Sequence, residues 1–510
     1  MSGADPQVPN RGLLTVCVMA ATIMQALDTT IANVALPYMQ GSLSATQDQI
    51  TWVLTSYIVS AAIFMPTTGF LTARFGRKKL LIAAVAGFTL ASGLCGAAQT
   101  LGQMVIFRLL QGVFGAALVP MSQAILLDSY PREKHGSAMA IWGVGVMVGP
   151  ILGPMLGGWL TEYYNWRWVF YINVPIGVAV VFGLLAVLTE SKTQQMRFDW
   201  FGFATLSLAV GALQMMLDRG QLIDWFASTE IVVEAALAAL ALYLFLVHMA
   251  TADRPFIDPH LFADRNFRVG VMLIFVVGVI LLASVALLTP YLQTLMGYPV
   301  LTAGLILGPR GIGTMVAMMI VGRLINRVDP RVFLLIGLGL SSLSLYEMTG
   351  FTPDVSSKML LWNGIIQGFG LGFLFTPLST VTFATLPAHL RTQATALFSL
   401  LRNLGSSVGV SVVMFMLARN TQALHAQLAQ FANPLNSALQ APGVAHIWSL
   451  KTLAGRAALN MEITRQAEII AYMNDYKMLA ILALAAAPLV LLLGRPQDRM
   501  IDPAHAAAME

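Results

Sequence analysis

The sequence predicts an all-α polytopic membrane protein of fourteen transmembrane helices, arranged as two related six-helix halves with two further helices inserted between them. Three observations predict it. Of 510 residues, 57% are hydrophobic and only 10% charged, against about 25% charged in a soluble protein. Runs such as Leu80 to Ala98 and Ile231 to Val247 are apolar on every side, unlike the alternating segments of a membrane barrel. A short basic turn between two apolar runs occurs twice, at Gly69 to Lys79 and at Gly322 to Arg331, 253 residues apart. Fourteen spans of about 20 residues take roughly 280 residues and leave enough chain for turns, one long loop and both ends.

Apolar windows between polar or Gly/Pro punctuation place the spans near 13–36, 52–73, 80–98, 103–127, 137–160, 169–188, 200–217, 229–249, 268–289, 302–325, 332–350, 356–379, 394–417 and 477–494. No small-residue cleavage site closes the first apolar stretch, so it is read as a retained span. An even count puts both ends on one side. The short loops on that side hold 18 Lys and Arg, including Arg74, Arg77, Lys78 and Lys79, against 3 in the short loops opposite (Arg167, Arg219, Lys358). Positive residues collect in cytoplasmic loops, so both termini are expected in the cytoplasm. The same bias accounts for the net charge of +5 without nucleic acid. Cys17 and Cys95 lie in apolar stretches and suggest neither a disulfide nor a metal site.

The recurring turn has Gly, Leu and Arg at equal offsets. A second echo pairs Gln111, Gly112 and Pro120 with Gln367, Gly368 and Pro377. Related halves are the usual construction of secondary transporters, with substrate near the midplane between them. The expected organisation is a six-helix half over 1–199, two inserted helices over 200–249, and a second half over 250–510 carrying a long loop at 418–476. In that loop Leu424, Leu428 and Phe431, then Ile463, Ala467 and Ile470, follow helical spacing around Pro434 and Pro442. Two weakly amphipathic helices outside the membrane are expected there, either a docking surface or a lid.

Charge at bilayer depth is expensive and usually marks an ion or substrate path. Gln25, Asp28, Thr29, Ala32 and Asn33 share roughly 140° of helical arc, a polar or small stripe facing protein or water. Asp28 there can carry a proton, or can be a structural carboxylate bonded to neighbouring helices. Arg108 shares a face with Gln111, Gly112, Gly115, Ser122 and Gln123. Arg does not deprotonate, so it either tunes a nearby acid or pairs permanently. Gly145, Gly149, Gly153 and Gly157 recur every fourth residue with Pro150 and Pro154 beside them, a spacing that lets helices approach closely. In the second half Ser399, Arg402, Gly405, Ser406 and Gly409 share a face, and Asn363 and Gln367 lie four apart on another span. Arg310 lies about eight residues inside the tenth span, where snorkelling to the outer interface is expected. Arg310 and Arg402, with few intramembrane acids, lean the substrate class toward neutral or anionic amphiphiles over dications. No nucleotide loop, zinc helix or paired-cysteine motif is present, so neither an enzyme nor a nucleotide-driven pump is indicated. A membrane receptor or embedded enzyme is a remote alternative.

The basic turn from Gly69 through Arg74, Gly76 and Arg77, the stretch from Leu27 to Pro37, and the Gly/Pro pattern of the fifth span together resemble the major facilitator superfamily, and within it the fourteen-span drug:proton antiporters. Trp166 to Pro175 and Leu217 to Gly220 are similar to the EmrB-like branch of Gram-negative bacteria. The resemblance implies proton-coupled export of hydrophobic or amphipathic compounds across the bacterial inner membrane, with no cofactor beyond the proton gradient; a proton-coupled uptake symporter is the alternative. It implies proton coupling through Asp28 and Arg108, an antiporter signature at Gly145, Gly149, Pro150, Gly153, Pro154 and Gly157, and an inner-gate turn at Gly69, Arg74, Gly76 and Arg77. Substrate contacts are expected from Gln25, Asn33, Gln111, Gln123, Arg310, Asn363, Gln367 and Arg402. The implied partners are lipophilic substrates, the bilayer, a periplasmic membrane-fusion adaptor and an outer-membrane channel. One departure is Ala73, where the family commonly has an acid before the first Arg. Gly76 is expected to cap its helix in the left-handed conformation.

Overall fold

The computed structural model describes residues 10–191, 193 and 197–494 and is all-helical over them, without strands. Thirteen helices are long and apolar enough to cross a bilayer, and a bent pair supplies the fourteenth. In order, spans 1 to 8 are Arg11–Ser42, the pair Trp52–Phe64 and Thr67–Phe75, Arg77–Ala97, Leu101–Ser129, His135–Tyr163, Trp168–Val187, Trp200–Arg219 and Thr229–Thr251. Spans 9 to 14 are Arg265–Leu295, Val300–Leu324, Pro330–Met348, Ser357–Ala384, Arg391–Ala429 and Leu453–Leu491. The chain is a multi-pass membrane protein. All fourteen expected spans are present, with differences at breaks and ends. Span 2 bends by 58° around Pro66, whose ring removes a backbone donor.

The expected loop at 418–476 is organised differently. Span 13 is a continuous helix of 39 residues, roughly 58 Å at 1.5 Å per residue and nearly twice the ~30 Å apolar thickness of a bilayer. Leu424 and Leu428 belong to it, and Ile463, Ala467 and Ile470 belong to the helix Leu453–Ala485 that continues into span 14. These are extensions of the spans, not separate helices. Residues 418–423 hold polar side chains but neither Gly nor Pro, so polarity there marks exit from the membrane and not a helix end. The two extensions form a stalk, with His425 paired to Asn460 at 3.0 Å. Only residues 430–452 at its tip, where Pro434 and Pro442 fall, connect them.

Helix pairing displays the repeat. Span 1 packs on span 5, span 2 on span 4, and span 3 on spans 4 and 6; the same pairs recur with the span number raised by eight, 9 on 13, 10 on 12, and 11 on 12 and 14. Glycines set these approaches. A Cβ on Gly149 would lie 2.3 Å from the carbonyl oxygen of Ala26, and one on Gly405 2.2 Å from that of Phe275. Gly145, Gly153 and Gly157 likewise face Met19, Thr30 and Ile31 of span 1, and Thr30 donates to the carbonyl of Gly149 at 2.9 Å. The fifth-span stripe is thus the seam with span 1; the side chain of Pro150 lies outside the described part. Gly149→Val should lower stability by about 1–3 kcal/mol through overpacking, read as an earlier thermal transition of the purified protein.

The halves meet along two seams, span 5 against span 10 and span 2 against span 13. Span 7 of the inserted pair packs on both span 2 and span 13, so the insertion covers the second seam.

Candidate functional site

Asp28, near the middle of span 1, is fully buried, as are Arg108 and Gln111 of span 4 and Asn173 of span 6. Arg108 donates through Nη1 to Oδ2 of Asp28 at 2.7 Å and to Oε1 of Gln111 at 2.7 Å. Gln111 Nε2 and Asn173 Nδ2 donate to the other carboxylate oxygen at 2.9 and 3.3 Å. Arg108 Nε donates to the carbonyl of Val53 in span 2 at 2.9 Å, and the guanidinium lies 4.3 Å from the ring centre of Tyr57 and 5.6 Å from that of Phe170. Tyr57 accepts from Gln25 at 3.1 Å. Four spans therefore converge on one carboxylate, and every side chain that bonds it is a donor. A carboxylate so held is an acceptor at both oxygens; adding a proton removes an acceptor and neutralises the partner of Arg108. Protonation must rearrange this contact.

Between the halves lies a cavity of about 930 Å³. Its lining includes Asn33, Thr55, Gln214, Asp218, Ser407, Ser411, Glu468 and Tyr472, from spans 1, 2, 7, 13 and 14. Thr51, Leu222 and Thr294 also line it, so it lies toward the face opposite the described chain ends. Leu54 and Thr55 of its lining adjoin Val53, whose carbonyl holds Arg108. Span 7 forms one wall and bonds to both halves. Asp218 accepts from Thr55 of span 2, Gln214 donates to Ser407 of span 13 at 2.8 Å, and Ser411 donates to the carbonyl of Leu217 at 2.6 Å.

At the face carrying the chain ends the halves are closed. Asp128, at the end of span 4, pairs with Arg77 at 2.5 Å and with Arg391, the first residue of span 13, at 2.5 Å. A Cβ on Gly69 would lie 2.9 Å from that of Gln393. Asn326 donates to the carbonyl of Glu133 at 2.6 Å and Ser137 to that of Gly322 at 3.2 Å. At this turn Ala73 carries no carboxylate and Arg77 pairs with Asp128 from another helix. Gly76 has φ 88° and ψ 158°, an extended glycine conformation and not the left-handed helical cap expected. Glu190 fills the space beside it and accepts from the amide of Lys78 at 3.2 Å, which explains the difference. Arg74 lies 5.8 Å from the ring centre of Phe75.

The remaining expected residues are dispersed. Asn33 bonds Thr29 of its own helix at 3.2 Å and lines the cavity. Gln123 is buried beside Met139, toward the closed end. Asn363 donates to the carbonyl of Ser344 at 2.9 Å and to Glu347 at 3.0 Å, so it faces span 11 and not the cavity. Arg402 reaches Asn403 at 3.5 Å. Arg310 does not snorkel: it is 6% exposed, with Nη2 donating to the carbonyl of Leu281 in span 9 at 3.0 Å. Helix packing against span 12 leaves it no route along the lipid face. Gln367 is fully buried.

Sequence reasoning missed Asn173, Tyr57, Asp218 and Ser92, whose hydroxyl accepts from Asn173 Nδ2 at 3.1 Å, as parts of these sites. Asn173 carried a signal, a lone polar residue in an apolar run, whereas Asp218 sits beside Arg219 at the end of one. Ser92 and Tyr57 carried none, because hydroxyls are common in transmembrane helices.

A family model described as Major Facilitator Superfamily matches residues 18–410. Among curated relatives, the multidrug export protein EmrB of Escherichia coli K12 is 38% identical over 432 residues, 84% of each chain. The fatty acid resistance protein FarB of Neisseria gonorrhoeae is 37% identical over 487 residues, 95% of this chain and 96% of its own. Among solved structures, the proton:xylose symporter XylE superposes with TM-score 0.62 at 13% identity, covering 97% of this chain and 98% of its own.

Proposed function

The chain belongs to the major facilitator superfamily, in its EmrB-like branch, and we propose that it exports lipophilic and amphipathic compounds in exchange for protons. The observation that carries the reading is a fully buried carboxylate held by three donors from two spans, beneath a cavity between the halves. In this reading Asp28 takes a proton from the side of the cavity, releases Arg108, and allows the halves to rock about their two seams, span 5 on span 10 and span 2 on span 13. The Asp128 links then open, substrate enters from the opposite face, and the proton leaves there. The names of the relatives, multidrug export and fatty acid resistance, support export over uptake. The protein is a transporter and not an enzyme, and it needs no cofactor beyond the proton gradient.

The termini face the cytoplasm and the cavity faces the periplasm in this assignment, supported by the 18 to 3 distribution of positive residues in short loops; Lys192, Arg495 and Arg499 of that count lie outside the described residues. The stalk then projects into the periplasm. Exposed apolar side chains at its tip, Phe431, Leu435, Ile447 and Leu453, fit a membrane-fusion adaptor that leads to an outer-membrane channel. Replacing the tip, residues 430–452, by a short Gly/Ser linker should abolish resistance in whole cells and spare transport by the purified protein; loss of both identifies the stalk as a lid or folding element instead.

Transport is tested with purified protein in liposomes under an imposed pH gradient, using a panel of a lipophilic acid, a neutral dye and a bis-cation. Gradient-dependent movement of at least one compound, with proton flux of opposite sense, is expected. Proton and substrate moving together identifies a symporter, and no movement of any compound overturns the transport reading.

A further inference from the structure

Backbone packing fixes which residues of the two halves correspond. A Cβ on Gly112 would meet the carbonyl oxygen of Tyr57 and the amide nitrogen of Ala61, whereas one on Gly368 would meet the carbonyl oxygen of Arg310 and the amide nitrogen of Thr314. Gly112 and Gly368 are therefore counterparts. So are their neighbours Gln111 and Gln367, and so are Tyr57 and Arg310. By the same argument the contacts of Gly149 with Ala26 and of Gly405 with Phe275 make Val277 the counterpart of Asp28.

The polar site of the first half is thus repeated in the second with one component removed. A guanidinium is again present, but it comes from span 10, at the position of Tyr57. The position of Arg108 is taken by Gly364, where a Cβ would lie 3.8 Å from that of Arg310. The carboxylate is replaced by the buried side chain of Val277. In the first half Gln111 donates to Asp28 and accepts from Arg108. In the second, both amide atoms of Gln367 and Nη1 of Arg310 are buried without a hydrogen-bond partner among the described residues. The hydroxyls of Tyr291 and Tyr476 are in the same condition, and Tyr476 is within electrostatic reach of Arg310. No carboxylate lies within ion-pair distance of Arg310 among the described residues. A buried charge needs a partner, and among the described residues no carboxylate lies beside Arg310 to supply it.

We propose that Arg310 and Gln367 form a head-group subsite for the carboxylate of an amphipathic organic acid, the substrate supplying in the second half the charge that Asp28 supplies in the first. The proposal rests on the export reading and gives it a substrate class. Tyr472 lines the cavity and packs edge-on against Tyr291 at 5.3 Å, with Tyr476 one turn further along its helix. Tyr472 is thus at the cavity and Tyr476 near Arg310; in this proposal the acid passes these rings to reach the subsite, with its apolar tail left against the cavity wall.

The test is binding of dansyl-undecanoic acid, its methyl ester, and acetate as competitor, to the full chain in lipid nanodiscs. The native protein should bind the acid at least about tenfold more tightly than the ester, the size of a charge-assisted hydrogen bond, and acetate should compete poorly. The acid-to-ester preference should fall to near one in Arg310→Gln, fall partly in Gln367→Leu, and survive in part in Arg310→Lys, which keeps the proposal testable if the Gln variant does not fold. Equal binding of acid and ester by the native chain, or an unchanged preference in the Arg310 variants, overturns it, as does acetate competing as well as the acid. A native chain that accumulates a bis-cation under a pH gradient without preferring acid over ester keeps the export reading and loses the subsite. One that prefers the acid yet transports nothing loses the export reading alone.

Discussion

Asp28→Asn should abolish pH-driven accumulation of substrate in proteoliposomes while counterflow of substrate without a gradient persists. The side chains that bond Asp28, Arg108, Gln111 and Asn173, are all donors, and they use both carboxylate oxygens. Asparagine keeps the shape but offers one acceptor, and it turns an amide NH2 toward a donor. One charge-assisted bond is lost, worth about 1.5–3 kcal/mol, so the protein should remain folded but less stable. It cannot gain or lose a proton at this position, and the step that rearranges the Arg108 contact no longer responds to pH. Substrate addition to the variant should therefore release no protons, read with a pH-sensitive dye. Normal accumulation by Asp28→Asn would move the proton path elsewhere, first to Asp128 or Glu347.

The spans were legible because bilayer thickness imposes one length on each apolar run, and the repeat was legible because its turns carry charge. Asp28, Arg108 and Gln111 stood out because polar groups at depth are rare, and the polar stripe on each helix already indicated which face was turned inward. What the stripe cannot give is the partner. Asn173 comes from a helix distant in sequence, and Asn363, on an equally polar face, turns toward span 11 instead. For Arg310 the depth along the helix is legible in sequence and the direction of the side chain is not. The stalk is not legible because polar residues resemble a helix end, although a helix continues into water wherever no Gly or Pro stops it. The correspondence of Tyr57 with Arg310 is invisible in sequence, since the residues differ in kind and only the backbone contacts of Gly112 and Gly368 align them.

The cost of losing Arg108 should depend on whether Asp28 is still there. Arg108 is fully buried, bonds Asp28, Gln111 and the carbonyl of Val53, and packs on Tyr57. Arg108→Ala removes all of these and leaves a buried carboxylate with only the amides of Gln111 and Asn173. Breaking such a pair costs about 3–5 kcal/mol, whereas exchanging both partners for neutral groups is often close to neutral. Arg108→Ala alone should therefore give low yield and an early thermal transition, Arg108→Lys should fold but couple poorly because an ammonium lacks the planar fork, and Asp28→Asn combined with Arg108→Ala should recover part of that stability without recovering transport. Thermal unfolding of the purified single and double variants measures the coupling. If the losses simply add, Asp28 and Arg108 do not act as a pair in the folded protein, and the proton-triggered release on which the coupling step depends has no physical basis. If the double variant is more stable than Arg108→Ala yet inactive, the pair is kept for transport and not for stability, which is what a carboxylate that must periodically let go of its partner requires.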